Sequence, residues 1–156
     1  MVLKEKEKEK AMKCITYKKG YKYQLRKDYT VQIPVTPEKE IGNEYIRLSP
    51  EGNLFIKESY AWDGPSGPTI DTLNFMRGSL VHDGLYQFMR EELLDRKIYR
   101  KAADKLIRQM CREDGMSAFR AWYVYWGLRI GGSSAADPRS ENLLIVAPEG
   151  CTEAKS

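Results

Sequence analysis

The stretch Ala61-Trp62-Asp63-Gly64-Pro65-Ser66-Gly67-Pro68-Thr69 divides the sequence into two parts with different hydrophobic periods. Before it, apolar residues tend to alternate with polar ones, as in a half-buried strand. After it, they recur every three or four positions, as on one face of a helix. The high content of Gly, Pro and Ser in the stretch itself is typical of a loop. A block of strands followed by a block of helices predicts an α+β fold.

Upstream of the loop, the sequence predicts an antiparallel β unit over about residues 13–60. Its strand-like segments are 14–17 and 21–25, which resemble a hairpin around Lys19-Gly20, then 30–35, 45–48 and 54–57. The last two segments flank Ser49-Pro50-Glu51-Gly52-Asn53. This is a turn signal, because proline presets φ and glycine or asparagine tolerates a positive φ.

Downstream of the loop, the sequence predicts a three-helix half over about residues 72–131. The apolar positions are Val81, Leu85, Phe88 and Met89 on the first helix and Ala102, Ala103, Leu106, Ile107 and Met110 on the second. A third helix is expected over about 117–130, and Gly131-Gly132 predicts its end.

An aromatic stripe marks the third helix: it consists of Trp122, Tyr125, Trp126 and Arg129. We expect the stripe to pack against the sheet or the other helices, since apolar stripes at helical spacing usually belong to a core. A surface that faces a membrane or a partner is the alternative.

The ends of the chain are expected to lie outside a single domain of residues 13–132. Residues 1–12 are predicted to be a charged flexible tail, because the Lys-Glu alternation of 4–10 contains no core residue. Residues 133–156 are predicted to be a loosely ordered C-terminal tail, to which 143–146 would add one strand.

The composition is that of a folded protein, with 42% hydrophobic and 11% aromatic residues. The net charge of +4 would suit a phosphate-bearing partner or an anionic membrane, but solubility explains it equally well. No basic-aromatic motif accompanies the charge, so nucleic acid is not expected as a partner.

The location is expected to be intracellular and reducing. Charged residues stand where the apolar region of a signal peptide would be, and no stretch approaches the ~18 apolar residues of a transmembrane segment. The chain has an odd number of cysteines, Cys14, Cys111 and Cys151, and none of them has CxxC spacing. This argues against a disulfide scaffold or a cysteine zinc site.

His82, the only histidine, is the centre of the candidate site. Tyr86 follows it by four residues and shares its helix face, whereas the adjacent Asp83 points about 100° away. If the first two helices form an antiparallel hairpin that turns near Leu93, Asp104 lies opposite His82. A carboxylate on one imidazole nitrogen would fix the tautomer and make His82 a general base that activates water.

Asp63 and Gly64 in the dividing loop extend this site. Loop carbonyls together with Asp63 and Asp83 form an oxygen-rich set, which suits a hard cation such as Ca²⁺. Such a cation would polarise a carbonyl group and hold a developing oxyanion.

Other hydrolytic sites are poorly matched. A three-histidine or H-E-x-x-H zinc site and an HD-type phosphohydrolase site need more histidines than the chain has. Ser66 or Ser79 would complete a Ser-His-Asp triad, but the sequence has no G-x-S-x-G elbow. A structural interpretation is also open: His82 would be a core histidine bonded to Asp104, and Asp63 would cap a turn.

Two resemblances bear on the site. W-D-G-x-S-x-P at Trp62–Pro68, H-D-x-L-Y at His82–Tyr86 and A-D at Ala103-Asp104 resemble a family of small uncharacterised proteins from phages and prophages. That resemblance implies a phage context, with a location in the host cytoplasm or the virion, but no activity.

The same motifs are similar to the prokaryotic branch of secreted phospholipase A2. This second resemblance implies His82 as base, Asp104 as its partner, Tyr86 as a brace, and Asp83 and Asp63 as calcium ligands. The sequence departs from that family in its cysteines. Ser79 stands three residues before the histidine, where the family has a disulfide cysteine, while Cys111 remains at the position of the bonding partner.

These features together predict a metal-assisted, phospholipase A2-like hydrolase that acts on a phospholipid or another ester. The alternative is a non-catalytic phage protein, either a virion or tail-assembly component or a factor that binds a host protein, in which the same residues are structural. A cell-wall amidase ranks last, because it would need a metal at His82 without other histidines.

Overall fold

The computed structural model describes residues 15–17, 22–64, 72–138 and 145–147. The chain divides into two compact units, Gly20–Glu141 and a unit that contains both ends of the chain. The predicted tail over 1–12, the loop residues 65–71, Cys14 and Cys151 lie outside the described residues.

The larger unit begins with short antiparallel strands. They are β2 (Tyr23–Gln24), β3 (Tyr29–Gln32), β4 (Ile41–Gly42), β5 (Ile46–Leu48), β6 (Asn53–Ile56) and β7 (Ala61–Trp62). Four of them form a sheet in the order β3-β6-β5-β4, and β2 pairs with β7. The turn between β5 and β6 contains Gly52 at φ 85°, as the turn residues predicted.

Three helices follow: α1 (Leu73–Arg90), α2 (Arg96–Glu113) and α3 (Ala118–Gly131), and then a 3₁₀ turn, Ser134–Ala136. Asp95 caps the start of α2 by accepting a hydrogen bond from the Lys97 amide. Ser117 caps α3 in the same way, through the Arg120 amide. The strands and helices confirm the predicted α+β class.

The smaller unit contains β1 (Ile15–Tyr17) paired antiparallel with β8 (Ile145–Ala147). The strand predicted near 143–146 is therefore present. The predicted hairpin around Lys19-Gly20 is wrong, because β1 pairs with β8 while β2 pairs with β7. Residue alternation identifies a strand, but it carries no information on which distant strand is its partner.

The main core lies between the four-stranded sheet and α1. Fully buried sheet residues, among them Ile46, Leu48, Leu54 and Ile56, share one cluster with Val81, Leu85, Phe88 and Met89 of α1. Gly84 explains how closely the two layers approach: a Cβ at this position would lie 2.7 Å from Ile46 Cδ1. The glycine that weakens the helix locally thus allows α1 to lie directly on β5.

The aromatic stripe of α3 does not pack as expected. Tyr125 is buried, but Trp122 and Trp126 are each 46% exposed. The inward face of α3 consists instead of Ala121, Val124 and Tyr125, with Leu128 partly buried. Because α3 is apolar on both faces, its periodicity could not show which face is the inner one.

None of the helices in the described part of the chain combines the length and the hydropathy needed to span a bilayer.

Candidate functional site

His82 and Asp104 face each other across the hairpin of α1 and α2. His82 Nε2 lies 2.8 Å from Asp104 Oδ1, and both side chains are buried, with 4% and 0% of each residue exposed. The chain reverses between Arg90 and Arg96, around the predicted turn at Leu93. The contact expected from the symmetry of the hairpin is therefore present.

Asp104 accepts hydrogen bonds on both carboxylate oxygens. The Tyr86 hydroxyl donates to Oδ1 at 2.6 Å, and the Arg129 guanidinium donates to Oδ2 at 2.9 Å. Tyr86 also packs against the His82 ring, with ring centroids 4.0 Å apart. Two helices, α1 and α3, thus supply partners to one buried carboxylate on α2, and both of its oxygens accept hydrogen bonds from the protein.

Arg129 was not predicted as a site residue, although it was noted in the stripe on α3. Its position depends on where α3 ends relative to Asp104. Arg100 of α2 donates hydrogen bonds to the carbonyl oxygens of Leu128 and Arg129, each at 2.9 Å. A cation at the C-terminal end of a helix also interacts favourably with the helix dipole. Arg100 therefore holds the end of α3 in place, and no spacing rule in the sequence signals that contact.

The charges of this cluster shift its titration. Burial by itself raises the pKa of Asp104, but hydrogen bonds from His82, Tyr86 and Arg129 outweigh burial and lower that pKa below 3.8. Burial by itself lowers the pKa of His82, but Asp104 and Asp83 outweigh it and raise that pKa above 6.5. The two groups therefore hold opposite charges over a wide range of pH.

The other side of the His82 ring faces Asp83. His82 Nδ1 lies 3.9 Å from Asp83 Oδ1, which is too long for a direct hydrogen bond, and the Asp83 side chain is 30% exposed. Partial burial and the nearby charge of Asp83 raise the pKa of Asp63, while Arg90 acts to lower it. The structure thus brings Asp63, Asp83 and His82 into one neighbourhood.

Gly64 follows Asp63 with φ at 74°, a conformation that favours glycine. A Cβ at Gly64 would lie 2.5 Å from Tyr23 Cε2, so a larger residue would also displace that ring. The Asp-Gly pair therefore has a local structural reason in addition to any role in binding.

Trp62 anchors the start of the loop on α1. Its indole Nε1 donates to Ser79 Oγ at 3.2 Å, and the Ser79 hydroxyl donates to the Met76 carbonyl at 2.8 Å. Ser79 is 2% exposed and engaged in these bonds, so its hydroxyl is not arranged as a nucleophile for His82. Ser66, the other serine considered, lies outside the described residues.

Cys111 is a free, buried thiol. Burial raises its pKa to about 11, so it is not a reactive thiolate at neutral pH. Where the phospholipase A2 resemblance implied a disulfide from the position of Ser79, the chain instead uses Ser79 to hold Trp62.

Asp63 and Asp83 are the carboxylates that the sequence predicted as ligands of a metal ion. Within 22–64 and 72–138, no three side chains of His, Cys, Asp or Glu are grouped so that they could hold a metal ion. Two carboxylates are hard oxygen donors of the kind Ca²⁺ takes. The six to eight ligands that this ion usually has would require backbone carbonyls and water as well.

The chain matches no curated protein and no solved structure. Residues 55–128 match the model of a family described as "Protein of unknown function (DUF1353)". The chain is therefore similar to this uncharacterised family over the segment that contains every predicted site residue, Asp63, Gly64, His82, Asp83, Tyr86 and Asp104.

Proposed function

We propose that this chain is a metal-assisted ester hydrolase of the phospholipase A2 type, in which His82 activates a water molecule. The observation that carries the proposal is the placement of His82 between two carboxylates with different surroundings. Nε2 lies 2.8 Å from the buried Asp104, and Nδ1 lies 3.9 Å from the partly exposed Asp83.

The first of these contacts determines which nitrogen of the His82 ring carries the proton. If Nε2–H donates to Asp104, Nδ1 carries the lone pair and is free to accept a proton. Tyr86 and Arg129 hold the carboxylate of Asp104, so the ring has a fixed orientation. When His82 accepts a proton from water, Asp104 and Asp83 stabilise the imidazolium that forms.

The second contact has a length that one water molecule could bridge. Two atoms 3.9 Å apart can both reach one water at about 2.8 Å, the usual length of such a hydrogen bond. A water held between His82 Nδ1 and Asp83 Oδ1 would have its proton aimed at the base. It would lie on the side of the ring where Asp83 is exposed.

The proposed cofactor is Ca²⁺, which Asp63 and Asp83 would hold together with the backbone at Gly64. In support, partial burial and the charge of Asp83 raise the pKa of Asp63, and a cation would relieve the repulsion between these two carboxylates. The ion would supply polarisation of the ester carbonyl and stabilisation of the oxyanion.

A non-catalytic role, as a phage virion, tail-assembly or host-interaction protein, is the second candidate. The observation in its favour is that Asp104 is satisfied by three side chains and His82 is 4% exposed, as in a network that holds a core together. In that case the network joins the three helices and has no substrate.

The test is release of fatty acid from short-chain phosphatidylcholine, measured with added Ca²⁺ and with a chelator. We expect turnover by the wild type that requires Ca²⁺ and is lost in His82→Gln. The rate should rise with pH through a pKa above 6.5, because the base acts in its neutral form.

Asp28→Asn is the matched control: it alters an exposed aspartate in the β half that accepts from the Glu58 amide. It should leave the rate unchanged. If the folded wild type releases no more fatty acid than the blank, or if His82→Gln retains the wild-type rate, the hydrolase proposal is wrong and the structural role stands.

A further inference from the structure

The outward face of α3 is an unbroken apolar surface. Its large side chains recur at intervals of three or four residues and lie side by side along the helix. They are Phe119, Trp122, Tyr123, Trp126 and Ile130, with exposed fractions of 76, 46, 53, 46 and 83%. We call these five residues the α3 face. Contiguous apolar surface of this kind marks a binding site on a soluble domain.

A stripe of basic residues runs along the neighbouring helix. The exposed positions Lys97, Lys101, Lys105, Arg108 and Arg112 of α2 follow the helical repeat and share one side. We call these five residues the α2 stripe.

The stripe and the face adjoin each other through two aromatic contacts. The Arg108 guanidinium lies 5.7 Å from the centre of the Tyr125 ring. Tyr125 in turn meets Trp126 edge to face, with centroids 5.4 Å apart. The apolar surface of α3 therefore has a cationic border on the α2 side.

Acidic residues of the same two helices and their connection do not cancel this charge. The segment 96–131 contains nine basic and three acidic residues. Asp104 is buried in the cluster with His82, and both Glu113 and Asp114 bind Arg77 of α1. The rest of the chain contains seventeen basic and nineteen acidic residues, so the positive excess is concentrated in segment 96–131, which contains α2 and α3.

We propose that the α3 face and the α2 stripe form a docking surface for an anionic phospholipid membrane. Tryptophan and tyrosine partition to the boundary between headgroups and acyl chains, and a helix with such an apolar face lies in the plane of that boundary. Lysine and arginine beside it are attracted to anionic headgroups. The inference goes beyond the proposed function, because membrane binding by α3 requires no hydrolysis.

Charge distinguishes this partner from a second copy of the chain. Two copies whose α3 faces packed with the helices antiparallel would place their α2 stripes on the same side, where like charges oppose the contact. An anionic lipid surface offers negative headgroups to the α2 stripe and an apolar region beneath them to the α3 face.

The test is cosedimentation with vesicles of ether-linked phosphatidylcholine, with and without ether-linked phosphatidylserine. Ether lipids contain no cleavable acyl ester, so binding is measured apart from any turnover. We expect binding that requires phosphatidylserine, weakens with salt and shifts tryptophan emission to the blue, since two of the three tryptophans lie on the α3 face.

A double variant and a matched control test the contribution of the α3 face to binding. Trp122→Ser with Trp126→Ser should weaken binding by about tenfold or more, as removal of the interfacial anchors predicts. The matched control is Tyr45→Ser, which removes an aromatic residue of similar exposure, 45%, from the sheet and should bind as the wild type does.

Three outcomes would overturn the proposal. The wild type fails to bind either vesicle, the double variant binds as well as the wild type, or light scattering shows a dimer that the double variant abolishes while vesicles are not bound. The last result would assign the α3 face to a second copy. A wild type that binds these vesicles but releases no fatty acid from short-chain phosphatidylcholine would keep this inference and reject the hydrolase.

Discussion

On one side of the His82 ring, Nε2 meets Asp104, a carboxylate that is fully buried and accepts from His82, Tyr86 and Arg129. On the other side, Nδ1 faces Asp83, whose side chain is 30% exposed and lies near Asp63. The first side, with Asp104, resembles a core, and we call it the closed side; the second, with Asp83, resembles a binding site, and we call it the open side. Stability and chemistry are therefore expected to depend on different carboxylates, although both act on one imidazole.

The largest effect is expected from Asp104→Ala. It would leave the Tyr86 hydroxyl, the Arg129 guanidinium and the His82 ring without their acceptor inside the protein. Loss of one partner from a buried, charged network costs about 3–5 kcal/mol. Urea denaturation followed by circular dichroism measures the change in the free energy of unfolding.

The matched variant is Asp83→Ala, which removes a carboxylate from the open side of the same ring. Its expected cost is below about 1 kcal/mol, since the side chain is partly exposed and makes no direct hydrogen bond to His82. If Asp104→Ala does not fold, Asp104→Asn, which keeps one acceptor oxygen, provides the measurement. Equal losses at positions 83 and 104 would show that the two sides do not differ in this way.

The second effect concerns the packing of α1, the helix that carries His82, against the sheet. Gly84→Ala would place a Cβ 2.7 Å from Ile46 Cδ1, and Ile46 is fully buried and has little room to move. We expect a net loss of about 1–2 kcal/mol, because overpacking outweighs the gain in helix propensity.

Gly127→Ala is its control in α3, where a Cβ would meet nothing within 4 Å. There the same substitution should stabilise the protein by up to about 1 kcal/mol. Thermal melting measures both changes. A lower Tm for Gly84→Ala together with a higher Tm for Gly127→Ala would support close contact between α1 and the sheet. A stabilising Gly84→Ala would contradict it.

Much of this arrangement was predictable because it depends on local periodicity. The helical repeat and the short connection between α1 and α2 place Asp104 opposite His82 without further information. Arg129 could not be found in this way, since it reaches Asp104 from a third helix whose position depends on packing and on Arg100. The partner of β1 was missed for a similar reason, because β8 is far away in the sequence.

The close approach of Gly84 to Ile46 could not be predicted from the sequence either, because a glycine in a helical segment indicates only a weak helix former. The roles of Asp63 and Asp83 remain a prediction.

The smallest effect, and the one that most directly compares the two sides, is the pH dependence of stability. The pKa of His82 is raised above 6.5 in the folded protein, so the folded state binds this proton more tightly than the unfolded state does. The resulting stabilisation is complete below pH 6.5 and is lost as the pH rises through the folded pKa. The pKa of Asp104 is lowered, so its contribution is present above pH 3.8 and is lost as the pH falls through its folded pKa. The contact between His82 and Asp104 should therefore stabilise the folded protein most between pH 3.8 and pH 6.5.

His82→Gln removes the first of these contributions and retains a side chain able to bond Asp104. The difference in unfolding free energy between wild type and variant should narrow as the pH rises from about 5 to about 9, because only the wild type loses a stabilising proton. Asp63→Asn separates the open side: the raised pKa of Asp63 means that its ionised form disfavours folding, so this variant should lose less stability than the wild type as the pH rises from 3.8 through that pKa. A difference between wild type and His82→Gln that stays constant or widens with pH would mean that the imidazole is neutral in the folded protein. Asp104 would then act only as a hydrogen-bond acceptor, and the two sides of the ring would differ in burial but not in charge.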